Sequence, residues 1–353
     1  MKSPQPLTIR DIAREAGVST ATVSRVINTP DLVSPNTRAS VESAIERNGY
    51  LSHGIAVSLA SARSHSIGLV IPTITNSIYA SFTQAIQGVT QSAGYMLLLG
   101  NSEFSPELEE KLIRKLIEQR VDGMILIGGE RRRGVYDLIE GHGVPFVVTW
   151  KLLRESVGRP SISFDNYRGG CLAVQHLIKL GHRRIGLICG RTVVNDRARE
   201  RRSAYEDSMR ENGLVVEDSL IEEADFELVQ GRNAMRRLLD LKQTPTAVFC
   251  ANDIQAIGAL FECGENGLSV PGDISLVGFD DLPVAQYIRP QLTTIRVPAQ
   301  KMGELAAASI LYAIKTGRVP ATEELPVELI VRNSTAPLSN SHPVRNRRSA
   351  KSV

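Results

Sequence analysis

TIRDIAREAGVSTATVSRVIN, residues 8–28, holds two short amphipathic segments around a glycine-containing turn. Ile9, Ile12, Ala13 and Ala16 recur at helical spacing before Gly17, and Val23, Val26 and Ile27 recur after Ser19. The pattern predicts a helix, a tight turn and a second helix. Thr8 with Asp11, and Ser19 with Thr22, stand at the two helix starts, where side-chain oxygens satisfy amide groups that the helix leaves without partners. With Val23, Val26 and Ile27 inward, the second helix turns Thr20, Ala21, Ser24 and Arg25 outward near its N-terminal end. Small residues ahead of one arginine suit a helix that enters a DNA major groove. There Arg donates two hydrogen bonds to guanine O6 and N7, and a Thr or Ala methyl meets a thymine methyl. An ordinary helical hairpin shares the pattern, and the rest of the chain decides between the two.

Downstream, Ser34-Pro35 reads as an N-cap and a first-turn proline, opening a third helix that ends at Gly49 with Val41, Ala44 and Ile45 inward. Three helices in so short a stretch make a small headpiece. The segment SHGIAVSLASARSHS, 52–66, is small and polar apart from Ile55, Val57 and Leu59, which is the composition of a linker.

From Ser66 the texture changes. SIGLVIP (66–72), YMLLLG (95–100), GMILIG (123–128) and FVVT (146–149) are short apolar runs of the kind that parallel strands covered on both faces require, with helical stretches between them. A second series runs through RIGLICG (184–190), SLIEEAD (219–225) and TAVFCAND (246–253) and ends at ISLVGFDD (274–281). The openings IGLVIP and IGLICG echo each other, predicting two similar doubly wound α/β halves in tandem. Ligands in such sheets bind beyond the strand carboxyl ends, so a cleft between the halves is the expected pocket.

Composition sets limits. With 353 residues, 42% hydrophobic and 22% charged, the chain has the makings of about two globular domains and an appendage. No run approaches the roughly 18 uninterrupted apolar residues of a membrane span, and MKSPQPLT lacks the apolar core of a signal peptide, so a cytoplasmic protein without a membrane partner is expected. Cys171, Cys189, Cys250 and Cys263 have no CxxC spacing and read as free thiols. The net charge of +3 owes everything to Arg345, Arg347, Arg348 and Lys351 near the C-terminus; without these four cations it falls to −1. Global charge is therefore no argument for DNA binding, and the helical motif carries that argument alone.

Polar residues recur just past strand ends: Asn76, Asp196, Asn252, Asp253, Asp280 and Asp281. Each alone reads as turn or cap chemistry, but their recurrence in both halves favours a polar ligand. NDRARER (195–201) adds arginines, with Arg197 and Arg201 on one helical face, positioned to clamp a hydroxyl or carboxylate. The chain has no GxxxxGK[ST], no GxGxxG after a strand, no HExxH and no GxSxG, and its histidines have no metal-ligand spacing. Gly181-His182 reads as the end of a helix. Neither an enzyme, a metal nor a cofactor is expected.

TIRDIAREAGVSTATVSRVIN, SIGLVIP, VDGMILIG, HLIKLGHRRIGLICG, DRARER, TAVFCANDIQAIGAL, GLSVPGDISLVGFDD and LTTIRVP together resemble the LacI/GalR family of bacterial transcription regulators, from Thr8 to about Leu338. The resemblance implies a helix-turn-helix headpiece (1–51), a hinge (52–65), and a core like a periplasmic binding protein (66–338). In that core an N-lobe takes 66–164 plus about 298–325, and a C-lobe takes 165–297 plus about 326–338. A basic tail (339–353), which lacks the leucine heptad of the family's tetramers, is expected to be disordered, and the assembly a homodimer.

For DNA the resemblance implies base contacts at Thr20, Ala21 and Arg25, and phosphate contacts at Thr8, Ser19, Thr22, Ser24 and Asn28. It also implies a minor-groove wedge at Leu59, where unstacking a base step costs a few kcal/mol. The chain departs from the family around that wedge, with Ser52-His53-Gly54 in place of Pro-Asn and Val57 in place of Arg; Gly54 and Ser58 lower the hinge's helicity.

For the effector it implies Ile78, Tyr79, Asp196, Arg201, Phe226, Asn252 and Asp280, with Trp150 and Lys151 nearby. A carboxylate beside aromatic rings suits a sugar, and several arginines a sugar acid; a purine is the further alternative. The function implied is a repressor, bound to a pseudo-palindromic operator and switched between two states by the effector, as inducer or co-repressor. A solute-binding protein shares such a core but has no use for residues 1–63, and a constitutive DNA-bending protein needs no ligand.

Overall fold

A computed structural model describes residues 7–50, 63–153, 159–318 and 320–338, and these fall into two compact units that divide between His65 and Ser66. In the first, helices α1 (Ile9–Ala16), α2 (Thr20–Asn28) and α3 (Pro35–Asn48) enclose a core of Ile12, Ala13, Val23, Val26, Val41, Ala44 and Tyr50. Local chemistry sets each boundary. The Asp11 carboxylate accepts from Thr8 N (3.0 Å), Ser19 Oγ accepts from Thr22 N (3.1 Å), and Ser34 Oγ accepts from Thr37 N (3.4 Å). Gly17, at φ +69°, takes the left-handed turn that ends α1, which an L side chain rarely adopts.

The second unit has two six-stranded sheets. The first lobe is built from β1 (Ser66–Ile71), α4 (Ser77–Ser92), β2 (Met96–Asn101), α5 (Pro106–Glu118), β3 (Gly123–Ile127), α6 (Arg133–Gly141), β4 (Phe146–Thr149) and β5 (Ser161–Phe164). The second continues with α7 (Asn166–Lys179), β6 (Ile185–Cys189), α8 (Asp196–Glu211), β7 (Ile221–Glu223), α9 (Leu228–Leu239), β8 (Ala247–Cys250), α10 (Asp253–Glu265), β9 (Ser275–Asp280) and β10 (Thr293–Arg296). The chain then returns to the first lobe as α11 (Ala299–Thr316) and β11 (Glu323–Leu325), and closes in the second as β12 (Glu328–Ile330).

The sheet orders, β2-β1-β3-β4-β5-β11 and β7-β6-β8-β9-β10-β12, superimpose step for step. The echoing segments IGLVIP and IGLICG thus occupy the same place, second from the edge, in each sheet. All pairings are parallel except β10 with β12. β1, β3 and β4 are buried along their whole length, as doubly covered strands must be.

Three features differ from the sequence reading. β2 is an edge strand with Met96 66% and Leu99 48% exposed, so YMLLLG is not covered on both faces. The second series does not end at 281, because β10 and β12 extend it. β5, SISF, is buried although serines alternate with its apolar residues. Its Ser161 Oγ accepts from Leu153 N, which satisfies the hydroxyl inside the lobe.

Candidate functional site

In the first unit, α2 exposes Thr20, Ala21 and Arg25, while Thr22 and Ser24 are half-buried. The hydroxyls of the two N-caps are engaged within the headpiece: Thr8 Oγ1 donates to Asp11 (2.7 Å), and Ser19 Oγ is 2.9 Å from Thr22 Oγ1. Asn28 is the last residue of α2, and Leu59 lies outside the described residues.

In the second unit, loops at the carboxyl ends of the strands meet between the lobes around a tight cavity of about 20 Å³. The first lobe contributes Asn76, Ile78, Tyr79 and Trp150; the second contributes Asn195, Arg197, Ala198, Arg201, Phe226, Asn252 and Asp280. Helix caps place several of them. Asn76 Oδ1 accepts from Ile78 N at the start of α4, Asn195 Oδ1 accepts from Arg197 N and Ala198 N at the start of α8, and Asn252 Oδ1 accepts from Ile254 N at the start of α10. Cap chemistry and cavity lining are the same residues here. Trp150 and Asp280 hold positive φ, +65° and +116°, backbone strain of the kind that concentrates at binding sites.

A polar chain crosses the floor. Asn166 Nδ2 donates to Trp150 O (2.8 Å), Arg201 Nε donates to Asn166 Oδ1 (3.0 Å), and Arg201 Nη1 donates to Ala251 O (2.6 Å). The Arg201 guanidinium lies 3.7 Å from the centroid of the Phe279 ring, with Nη1 4.0 Å from Asp280 Oδ1. Asn252 Nδ2 donates to Asp280 Oδ2 (2.5 Å). Burial pushes the Asp280 carboxyl up to about 7, against the opposing pull of Arg201 and of the Asn252 hydrogen bond. Tyr79 packs on Trp150 with ring centroids 4.9 Å apart, and burial raises its phenol too. The Trp150 indole N–H is buried and has no hydrogen-bond partner among the described residues.

Arg197 lines both this cavity and a second of about 50 Å³, which Asp196, Glu130 and Phe104 also line. The Asp196 carboxylate accepts from Arg197 Nη1 (2.8 Å) and, across the cleft, from Gly129 N (2.7 Å) and Glu130 N (3.2 Å). Burial opposes its charge, but Arg197 and the two amides outweigh burial and hold the carboxyl below its ordinary range. The loop that supplies those amides is fixed by Arg131, which donates to Gly128 O and Ile127 O and pairs with Glu109, and by Tyr136, which donates to Gly129 O.

Of the residues expected around an effector, Ile78, Tyr79, Trp150, Arg201, Phe226, Asn252 and Asp280 line the first cavity, and Asp196 faces the second. Lys151 turns aside to pair with Glu200. Asp253 and Asp281 work inside the lobe: Asp253 accepts from Thr294 Oγ1 and Leu282 N, and Asp281 pairs with Arg296 and Arg332. The sequence reading names the NDRARER segment that holds Asn195 and Arg197, but not Asn166, whose amide ties Trp150 to Arg201. His182 is buried and bonds Thr246 and Ser275, a structural role. Among the described residues no cluster of His, Cys, Asp and Glu is arranged to hold a metal ion.

Residues 8–52 match the profile of bacterial regulatory proteins of the lacI family, and 174–335 match a periplasmic binding protein-like domain. The HTH-type transcriptional repressor PurR of Proteus mirabilis is 36% identical over 332 residues, which are 93% of this chain and 97% of that protein. The chain belongs to the lacI family. Other lacI-family proteins agree along nearly its whole length: PurR of Actinobacillus pleuropneumoniae is 36% identical over 94% of this chain and 99% of that protein. Among solved structures, the lac repressor dimer bound to operator and the anti-inducer ONPF has a TM-score of 0.82 at 29% identity, covering 94% of this chain and all of that one. The CelR-cellobiose complex has a TM-score of 0.69 at 31% identity, covering 93% and 99%.

Proposed function

We propose that this lacI-family protein is a transcriptional repressor that binds a pseudo-palindromic operator as a homodimer. A small sugar or sugar acid between the lobes of its core switches it. The observation that carries the reading is the pairing, in one chain, of an exposed Thr20-Ala21-Arg25 face on a capped recognition helix with a polar, aromatic-walled cavity at the strand carboxyl ends. The first is shaped to read base edges, the second to hold a small polar molecule. Asp280 supplies an acceptor for hydroxyls, Arg201 and Asn252 supply donors, and Tyr79, Trp150 and Phe226 supply ring faces. These groups are tied to one another and to the backbone, which suits holding a ligand rather than turning one over.

The same reading requires a dimer. A pseudo-palindrome needs two headpieces, and the apolar side chains of Met96 and Leu99 on the edge strand β2 offer a surface for a second copy. A purine is the second reading of the effector, favoured by the PurR names of the curated relatives. Selection of bound sequences from random duplex DNA by the full-length protein tests the DNA half of the proposal. Enrichment of an inverted repeat is expected, and recovery of unrelated sequences contradicts it.

A further inference from the structure

The first turns of α8, in the second lobe, are fastened to the first lobe at three points. The Asp196 carboxylate accepts from Gly129 N (2.7 Å) and Glu130 N (3.2 Å), the Arg199 guanidinium pairs with the Glu130 carboxylate, and Glu200 pairs with Lys151. Arg199 is itself aimed by a bond from Nη1 to Thr192 O (2.6 Å). A further contact joins the lobes: the Phe104 ring of the first lies against Phe226 of the second, with centroids 5.7 Å apart. Glu103 and Phe104 hold positive φ, +51° and +56°, so the turn that presents Phe104 carries backbone strain of the kind kept where function needs it.

These contacts leave almost no space between the lobes. The cavity of about 20 Å³ has room for one water, and its neighbour of about 50 Å³ for little more. A small-molecule site needs roughly 300–1,000 Å³. Bound effector and intact contacts therefore exclude each other. Three successive amides record which state the lobes are in. Gly128 N donates to Thr149 O within the first lobe (2.9 Å), whereas Gly129 N and Glu130 N donate to a carboxylate of the second. Separating the lobes leaves the latter two to water and the first untouched.

We propose that these contacts form an autoinhibitory clamp: the cleft is shut without ligand, and the effector binds by forcing the lobes apart. Entry breaks the bonds from Gly129 and Glu130 to Asp196, the Glu130–Arg199 pair and the Phe104–Phe226 contact. This rests on the reading of the cleft as an effector site and adds its regulation. The clamp lowers the effector's apparent affinity by the small fraction of molecules that are open. Residues outside the first cavity, Phe104, Glu130 and Arg199, thereby set the concentration at which the switch responds.

The test is amide hydrogen exchange of the full-length protein, read at residue resolution, with and without D-ribose, D-glucose, D-gluconate and hypoxanthine, whose binding is measured by calorimetry. Without ligand, Gly129 and Glu130 should exchange at least tenfold slower than an unstructured peptide. Phe104→Ala and Arg199→Gln keep Asp196 and both amides, yet each should speed exchange at Gly129 and Glu130 at least threefold. The β3 amides, held in the ladders to β1 and β4, should not change, which separates opening from loss of the fold. A probe that binds should speed exchange at Gly129 and Glu130, and both variants should bind it at least threefold tighter. Unprotected amides in the ligand-free protein overturn the clamp, and so do variants that leave the exchange unchanged. A bound probe that slows exchange at the two amides also overturns it, because the ligand then closes the cleft, and the effector site is left standing. If no probe binds, the effector reading falls and the forced opening with it, while the ligand-free exchange still decides the clamp.

Discussion

Asp196 Oδ2, on the second lobe of the core, lies 2.7 Å from the amide nitrogen of Gly129 on the first, so a charged side chain of one lobe is bonded directly to the backbone of the other. Arg197 and the Glu130 amide complete the shell around that carboxylate. Removing it strands a buried guanidinium, and Asp196→Ala should cost the core about 3–5 kcal/mol. Because the carboxyl is held below its ordinary range, its stabilising effect is present above the unfolded value near 4 and is lost as pH falls through the lower folded value. Urea unfolding followed by the single tryptophan, Trp150, should therefore show a flatter acid limb in the variant than in the parent protein.

Asp280 has the opposite sign. Its carboxyl is raised from 3.8 to about 7 by burial, so the folded core holds a proton that the unfolded chain has released. Its favourable contribution is complete below about pH 4 and disappears as pH rises through 7, with a slope of about 1.4 kcal/mol per pH unit in between. Asp280→Asn should remove that slope and unfold at higher urea than the parent at pH 8. A parent protein equally stable at pH 5 and pH 8, once other titrations are subtracted with the variant, contradicts the assignment.

Arg25 is the exposed cation of the recognition helix. Arg25→Ala should lose about 1–3 kcal/mol on the operator and relax discrimination at one base pair in each half-site, with much less effect on random DNA. Fluorescence anisotropy at fixed salt with single-substituted operators checks this, since salt alone moves such affinities by orders of magnitude. Equal losses on operator and random DNA mean that Arg25 contacts phosphate.

Ile12 is fully buried in the headpiece core. Ile12→Ala should cost about 2–5 kcal/mol, enough to unfold so small a unit. Operator binding should vanish while the core keeps its own unfolding transition and its ligand affinity, as two separate compact units require. Calorimetric scans and ligand titration of the same sample check both halves.

The parts of the fold legible in the sequence are those set by local chemistry. Ser19 and Thr22 cap α2, Gly17 ends α1, Pro35 and Gly49 bracket α3, and the long apolar runs became β1, β3, β4, β6, β8 and β9. What was not legible depends on partners distant in sequence. Tyr50 enters the headpiece core from beyond the last helix, where no periodicity announces it. Ser161 of β5 is satisfied by a bond from Leu153, and α11 packs so close to α4 that a Cβ at Gly303 would meet the Phe82 carbonyl. In the cleft, Asp280, Asn252 and Arg201 stand out as polar residues at strand ends. Lys151 gave no sign that it would turn toward Glu200, and Asp196 none that it would reach the amides of the other lobe.

The most direct test of the central claim is the affinity of the full-length protein for its selected operator, measured by fluorescence anisotropy at fixed salt with and without sugars, sugar acids and purines. A repressor switched through its cleft should show at least one compound that moves the dissociation constant tenfold or more, about 1.4 kcal/mol of coupling, and Asp280→Ala should abolish that response without changing operator affinity in the compound's absence. A ligand that binds the core tightly yet leaves operator affinity unchanged contradicts the switch, and so does a shift that survives in Asp280→Ala.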